Sequence, residues 1–161
     1  MTEDGRDTAA SQRLAQEAVK IVATDPARAE ALLREALNAD LYNGRAHNNL
    51  GALYLSQAKL YEAAGEFEWA RKLMPGHPDP RMNLALVLER AGRTDEALAT
   101  YATALEVYPN HIPTLQAITR LQLRLGKADD HLNDQLADIA LRGETPQWRE
   151  WARLQMAKRA P

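Results

Sequence analysis

Residues 44–77 read GRAHNNLGALYLSQAKLYEAAGEFEWARKLMPGH, and residues 78–111 read PDPRMNLALVLERAGRTDEALATYATALEVYPNH. Laid one under the other, they repeat with a period of 34 residues: Leu50, Tyr54, Ala63, Phe67, Ala70 and Pro75 are answered by Leu84, Leu88, Ala97, Tyr101, Ala104 and Pro109. Asn49 and Asn83 keep the same step, as do His77 and His111. Within each copy the apolar residues recur at helical spacing, with a break near Ala58 in the first and at Gly92-Arg93-Thr94 in the second. Each copy therefore predicts a helix, a turn and a second helix. Small residues (Gly51 or Ala85, then Ala63, Ala70, Ala97 and Ala104) let the backbones approach, while Tyr54, Phe67 and Tyr101 fill the space between them. Pro75 and Pro109 stop each second helix, because proline lacks the next backbone donor and clashes with the preceding turn.

These slots, His47-x-x-Leu50-Gly51-x-x-Tyr54, then Ala63-x-x-x-Phe67, Ala70 and Pro75, resemble the tetratricopeptide pattern W-x-x-L-G-x-x-Y, A-x-x-x-F, P. The second copy, from Arg81 to Pro109, follows it more loosely. His47 and Arg81 depart from the large first residue of the pattern, which predicts weaker packing at that slot. The resemblance implies an all-α chain of tandem helix-turn-helix repeats wound as a right-handed superhelix, with first helices on the concave face.

Outward from the two good repeats, 44–77 and 78–111, the pattern fades. Upstream, Ala29, Leu33 and Ala36 fit a second helix, and Asp25-Pro26 supplies its cap and first-turn proline, so 10–43 reads as a degenerate repeat whose first helix is out of register. Downstream, Leu115 and Ile118 hold register, but Leu132, Leu136 and Ile139 are displaced by one residue, as a one-residue insertion near Gly126 would produce. Residues 112–143 are accordingly a degenerate fourth repeat, completing an array over 9–143. Thr145-Pro146 opens a last helix over 145–159 carrying Trp148, Trp151, Leu154 and Met156, expected to cap the array. Residues 1–8, polar and without an apolar face, are expected to be a disordered tail.

Composition narrows the function classes. A formal net charge of -2 in 161 residues supplies no global field for nucleic acid or anionic lipid, and no run of apolar residues is long enough to insert in a membrane. The acidic, polar start does not resemble a secretory signal, which favours a cytoplasmic protein. With no cysteine, thiolate metal sites and thiol nucleophiles are excluded. The histidines have no chelating spacing, and no Gly-rich phosphate loop, G-x-S-x-G elbow or H-E-x-x-H helix occurs. The expectation is a non-catalytic protein with no metal and no cofactor.

What the resemblance implies instead is an adaptor, scaffold or chaperone-like subunit holding a peptide or protein segment in the concave groove. Carried over slot by slot, the groove comprises Arg45, Asn48, Asn49 and Leu55 from the best repeat, Met82, Asn83, Leu86 and Arg90 from the next, and Arg120 and Arg124 from the fourth. Asn49 and Asn83 at equivalent turns could bond the backbone of one extended peptide, and the arginines could select an acidic or mixed apolar and acidic partner. The two-carboxylate clamp of chaperone co-factors is disfavoured: neither register, taken from Asn49 or from Asn83, places lysine and asparagine where that clamp needs them. The alternative is self-assembly, as a homo-oligomer, through the aromatic and basic C-terminal helix.

Overall fold

The computed structural model describes residues 5–161, and every regular element among them is an α-helix. In chain order these are α1 (Thr8–Ile21), α2 (Pro26–Ala39), α3 (Gly44–Ser56), α4 (Leu60–Leu73), α5 (Asp79–Arg90), α6 (Thr94–Val107), α7 (Ile112–Leu125), α8 (Leu132–Arg142) and α9 (Pro146–Arg159). They form two compact units, α1 to α5 through Arg93 and α6 to α9 from Thr94, so the division falls inside the repeat at 78–111.

The boundaries follow from local chemistry. The side chains of Asp7, Asp25, Asn43 and Thr145 accept hydrogen bonds from the orphan first-turn amides of α1, α2, α3 and α9. Asp7 and Thr8, expected in a tail, thus cap and open α1; residues 1–4 of that expected tail lie outside the described residues. Helices α4 and α6 stop two residues before Pro75 and Pro109, because the residue ahead of a proline is pushed out of the helical region. Between α3 and α4 the chain turns through Ala58 at φ 59°, and 34 residues on, between α5 and α6, through Gly92 at φ 79°. Glycine adopts that left-handed conformation without penalty, whereas alanine carries its Cβ into it at a cost.

In the first unit Leu32, Leu33, Leu50, Leu53, Tyr54 and Phe67 close one core around the small residues Ala18, Ala29, Ala36, Ala46 and Ala63. Gly51 permits a close approach: a Cβ there would stand 2.7 Å from the buried Phe67 ring. Ser11, fully buried in α1, donates to Ala36 O at 2.7 Å and accepts from Asn43 Nδ2 at 2.9 Å. Because Asn43 also caps α3, this pair ties the out-of-register first helix to the first good repeat.

His47 replaces the large aromatic of the repeat pattern, yet packing at its slot is not weak. The ring is buried and stacks on Trp69 with centroids 5.2 Å apart and planes 5° from parallel. Nδ1 lies 2.6 Å from Glu66 Oε2 and Nε2 lies 2.7 Å from Leu41 O, so both ring nitrogens are engaged. Stacking plus two hydrogen bonds does here what an indole would do by area alone. Beside it Arg34 Nη2 donates to Tyr54 Oη at 2.7 Å. Burial raises the Tyr54 hydroxyl above its ordinary pKa of 10.0, outweighing the opposing pull of Arg34.

In the second unit Leu115, Leu132, Leu136, Ile139 and Ala152 form the core, with Trp148 and Trp151 laid against it. The two indoles meet edge to face at 5.2 Å. The α9 helix packs on α8 as the terminal cap that a repeat array requires. Leu132, Leu136 and Ile139 are wholly buried, so the one-residue displacement read from the sequence describes which face of α8 turns inward. Gly126, at φ 66°, is the left-handed C-cap that ends α7 and opens the lengthened turn.

Candidate functional site: the first-helix face of the amino-terminal unit

The residues expected to line a groove fall into both units, which are taken separately here. In the first, α3 contacts α1 on one side and α5 on the other, and two adjoining hollows open over it. One, of about 490 Å³, is lined by Val19, Val22, Ala23, Ala52 and Ser56 and is predominantly apolar. The other, of about 760 Å³, is more polar and is lined by Gln12, Gln16, Lys20, Tyr42 and Arg45. Asn49 borders both. Its amide makes no side-chain hydrogen bond among the described residues, and Arg45 is exposed with no ion-pair partner among them.

Asn83 differs from its sequence counterpart. Its Nδ2 donates to Asn48 Oδ1 at 3.1 Å, so two of the expected groove amides are spent on each other and join α3 to α5. Asn49, unlike Asn48 and Asn83, has no side-chain hydrogen bond among the described residues. Leu55 is no groove residue: it is 8% exposed and belongs to the core, because it projects from the α3 face that meets the packed helices. Leu86 is half-buried against that same core, Met82 is half-buried, and Arg90 is exposed at the end of α5. The residues missed by slot transfer, Val19 and Val22, come from the out-of-register α1 and its C-cap; both are exposed apolar side chains, 54% and 37% accessible.

In the second unit Arg120 and Arg124 are exposed on α7, and each already has an interaction partner. Gln116, one repeat on from Met82 and two from Asn48, faces inward. It is 2% exposed; its Oε1 accepts from Glu144 N at 2.9 Å and its Nε2 donates to Glu144 Oε2 at 2.7 Å. That residue pins the segment between α8 and α9.

With this geometry in hand, a family model described as tetratricopeptide repeat matches residues 62–122. Over that stretch the chain carries tetratricopeptide repeats. This repeat protein is 30% identical over 100 residues to Superkiller complex protein 3 of Mus musculus, covering 62% of this chain and 6% of that one. It therefore spans only a small part of that curated relative. Among solved structures, the first TPR of Spaghetti (RPAP3), bound to an HSP90 peptide, superposes with a TM-score of 0.68 at 18% identity, covering 76% of this chain and 98% of that one. The Sgt2 TPR domain of Aspergillus fumigatus superposes with a TM-score of 0.69 at 19% identity, covering 81% and 93%. At such identities the likeness is one of fold. No helix among the described residues is long and apolar enough to cross a membrane.

Proposed function

We propose that this protein is a non-catalytic interaction module that holds a peptide or protein segment against the first-helix face of its amino-terminal unit. The observation that carries the reading is Asn49: a half-buried amide with no side-chain hydrogen bond among the described residues, set between an apolar hollow and a more polar one. A polar side chain with no internal hydrogen bond among the described residues, placed where apolar and more polar surface meet, suits fixing the backbone of a bound segment. Val19 and Val22 supply an apolar shelf for a side chain, and Arg45 supplies an uncommitted cation for an acidic group. A mixed apolar and acidic segment is the matching ligand. The RPAP3 domain in the superposed structure holds a peptide, SRMEEVD, of that mixed character, which supports the class of ligand. It does not extend to the chaperone clamp, whose lysine and asparagine slots are unmatched here.

Affinity capture from the source lysate with mass spectrometry tests this, comparing the wild type with the combined Arg45→Ala, Asn49→Ala and Val19→Ser variant after confirming equal melting behaviour. A specific partner retained by the wild type and lost with the variant is the expected result. A partner indifferent to all three changes would overturn the site.

A further inference from the structure

We propose a second binding site, independent of the first, in the carboxy-terminal unit: a cleft between α6, α7 and α8 that takes an arginine side chain presented by a partner protein. The cleft has a volume of about 530 Å³. Its floor is aliphatic, from Leu98, Ala102, Leu105 and Ile118, and its rim carries Glu106, Asp129, Gln122 and Gln135.

Two of those rim groups point to the ligand. Gln122 is 7% exposed, and its Nε2 donates to Asp129 Oδ2 at 3.2 Å. That contact fixes the amide orientation, because a carboxylate only accepts. The other end, Oε1, is buried and has no hydrogen-bond partner among the described residues, and Gln135 Oε1 is in the same condition. A buried acceptor left unmade costs free energy, so two of them lining one cleft mark a place where donors from another molecule are favoured.

Charge decides which donor. The acids at the cleft are Glu106 and Asp129, with Asp130 adjacent in sequence. Of its basic groups, Lys127 is ion-paired with Asp95, and His131 stands at the start of α8, where its backbone N–H donates to Asp129 Oδ1 at 3.0 Å. The amino-terminal end of α8 adds partial positive charge, offset within its first turn by Asp134. Glu106 has no ion-pair partner among the described residues. An arginine meets every part of this description: an aliphatic stem for the floor, several planar donors for the two glutamine oxygens, and a fixed positive charge for Glu106 and Asp129.

The test is an NMR titration of the full-length 15N-labelled protein with the blocked tripeptide acetyl-Ala-Arg-Ala-amide. Parallel titrations use the same peptide with citrulline or norleucine in place of arginine, and free spermidine. Saturable shifts at the Gln122 and Gln135 side-chain amides are expected with the arginine peptide, with binding weakened about tenfold for citrulline. Glu106→Gln, at an exposed position, and Gln122→Leu, checked for folding by its melting curve, should each weaken the arginine peptide. Equal binding of the norleucine peptide, tighter binding of spermidine, or no saturable shift at the two glutamines would each overturn the assignment.

Discussion

Helices α3 and α7 occupy equivalent places in their repeats and put the same slots to opposite uses. In α3, apart from the buried His47, the polar side chains stand outside a core closed by aliphatic side chains and Phe67, and Asn49 has no side-chain hydrogen bond among the described residues. In α7 the polar residues go inward: Thr114, Gln116, Thr119 and Gln122 are all buried. The slot held by Gly51 in α3 is held by Ala85 in α5 and by Thr119 in α7. No Cβ fits at Gly51, while Thr119 is wholly buried with its hydroxyl unpartnered. In α8 the large inward residue is Leu136 rather than a Phe67-like ring. The good repeat builds more of its core from shape, whereas the degenerate one turns more polar side chains inward.

The comparison can be broken at those slots. A destabilising change is expected of Gly51→Ala: forcing a methyl against the Phe67 ring costs about 1–3 kcal/mol of overpacking, offset in part by about 1 kcal/mol of helix propensity. Chemical denaturation should show a net loss, and an unchanged midpoint would mean that the core is looser than the 2.7 Å approach implies. At the matching slot Thr119→Val keeps the shape and removes the unpaired hydroxyl, so it should stabilise by about 1 kcal/mol in the same assay.

A smaller gain, about 0.5–1 kcal/mol, is expected from Ala58→Gly, which gives the first turn the residue that its counterpart Gly92 already has. A drop in melting temperature there would show the left-handed turn to be unstrained. The mildest effect is confined to alkaline solution. Because the folded state holds the Tyr54 proton more tightly, that group's contribution is fully present below pH 10.0 and is lost as pH rises through the higher folded value. Melting curves of Tyr54→Phe should therefore decline less steeply above that pH than those of the wild type.

The repeat core was legible because its signal is apolar and periodic. Ala63, Phe67, Ala70, Ala97, Tyr101 and Ala104, paired at a step of 34, are all buried to within 2%. The site was legible only in part. Slot transfer named Asn49 and Arg45, which border the hollows, but it could not register Val19 and Val22, which lie on and at the end of a helix off the repeat frame. It misassigned Leu55, because helical periodicity marks a face without saying how far the neighbouring helices wrap around it. Gln116 and His47 were obscured for a third reason: a polar residue looks solvated until its partners, Glu144 in one case and Glu66 with Leu41 O in the other, are brought beside it from distant sequence.

The contrast between a spare polar residue and a structural one is open to a direct measurement, the unfolding free energies of Asn49→Ala and Gln116→Ala side by side. Asn49→Ala should fall within about 0.5 kcal/mol of the wild type, as a residue held for a partner would. Gln116→Ala should lose about 1–3 kcal/mol, since it strips both partners from Glu144. Equal costs at the two positions, or a large cost at Asn49, would show that amide to be part of the fold and contradict its assignment to a ligand.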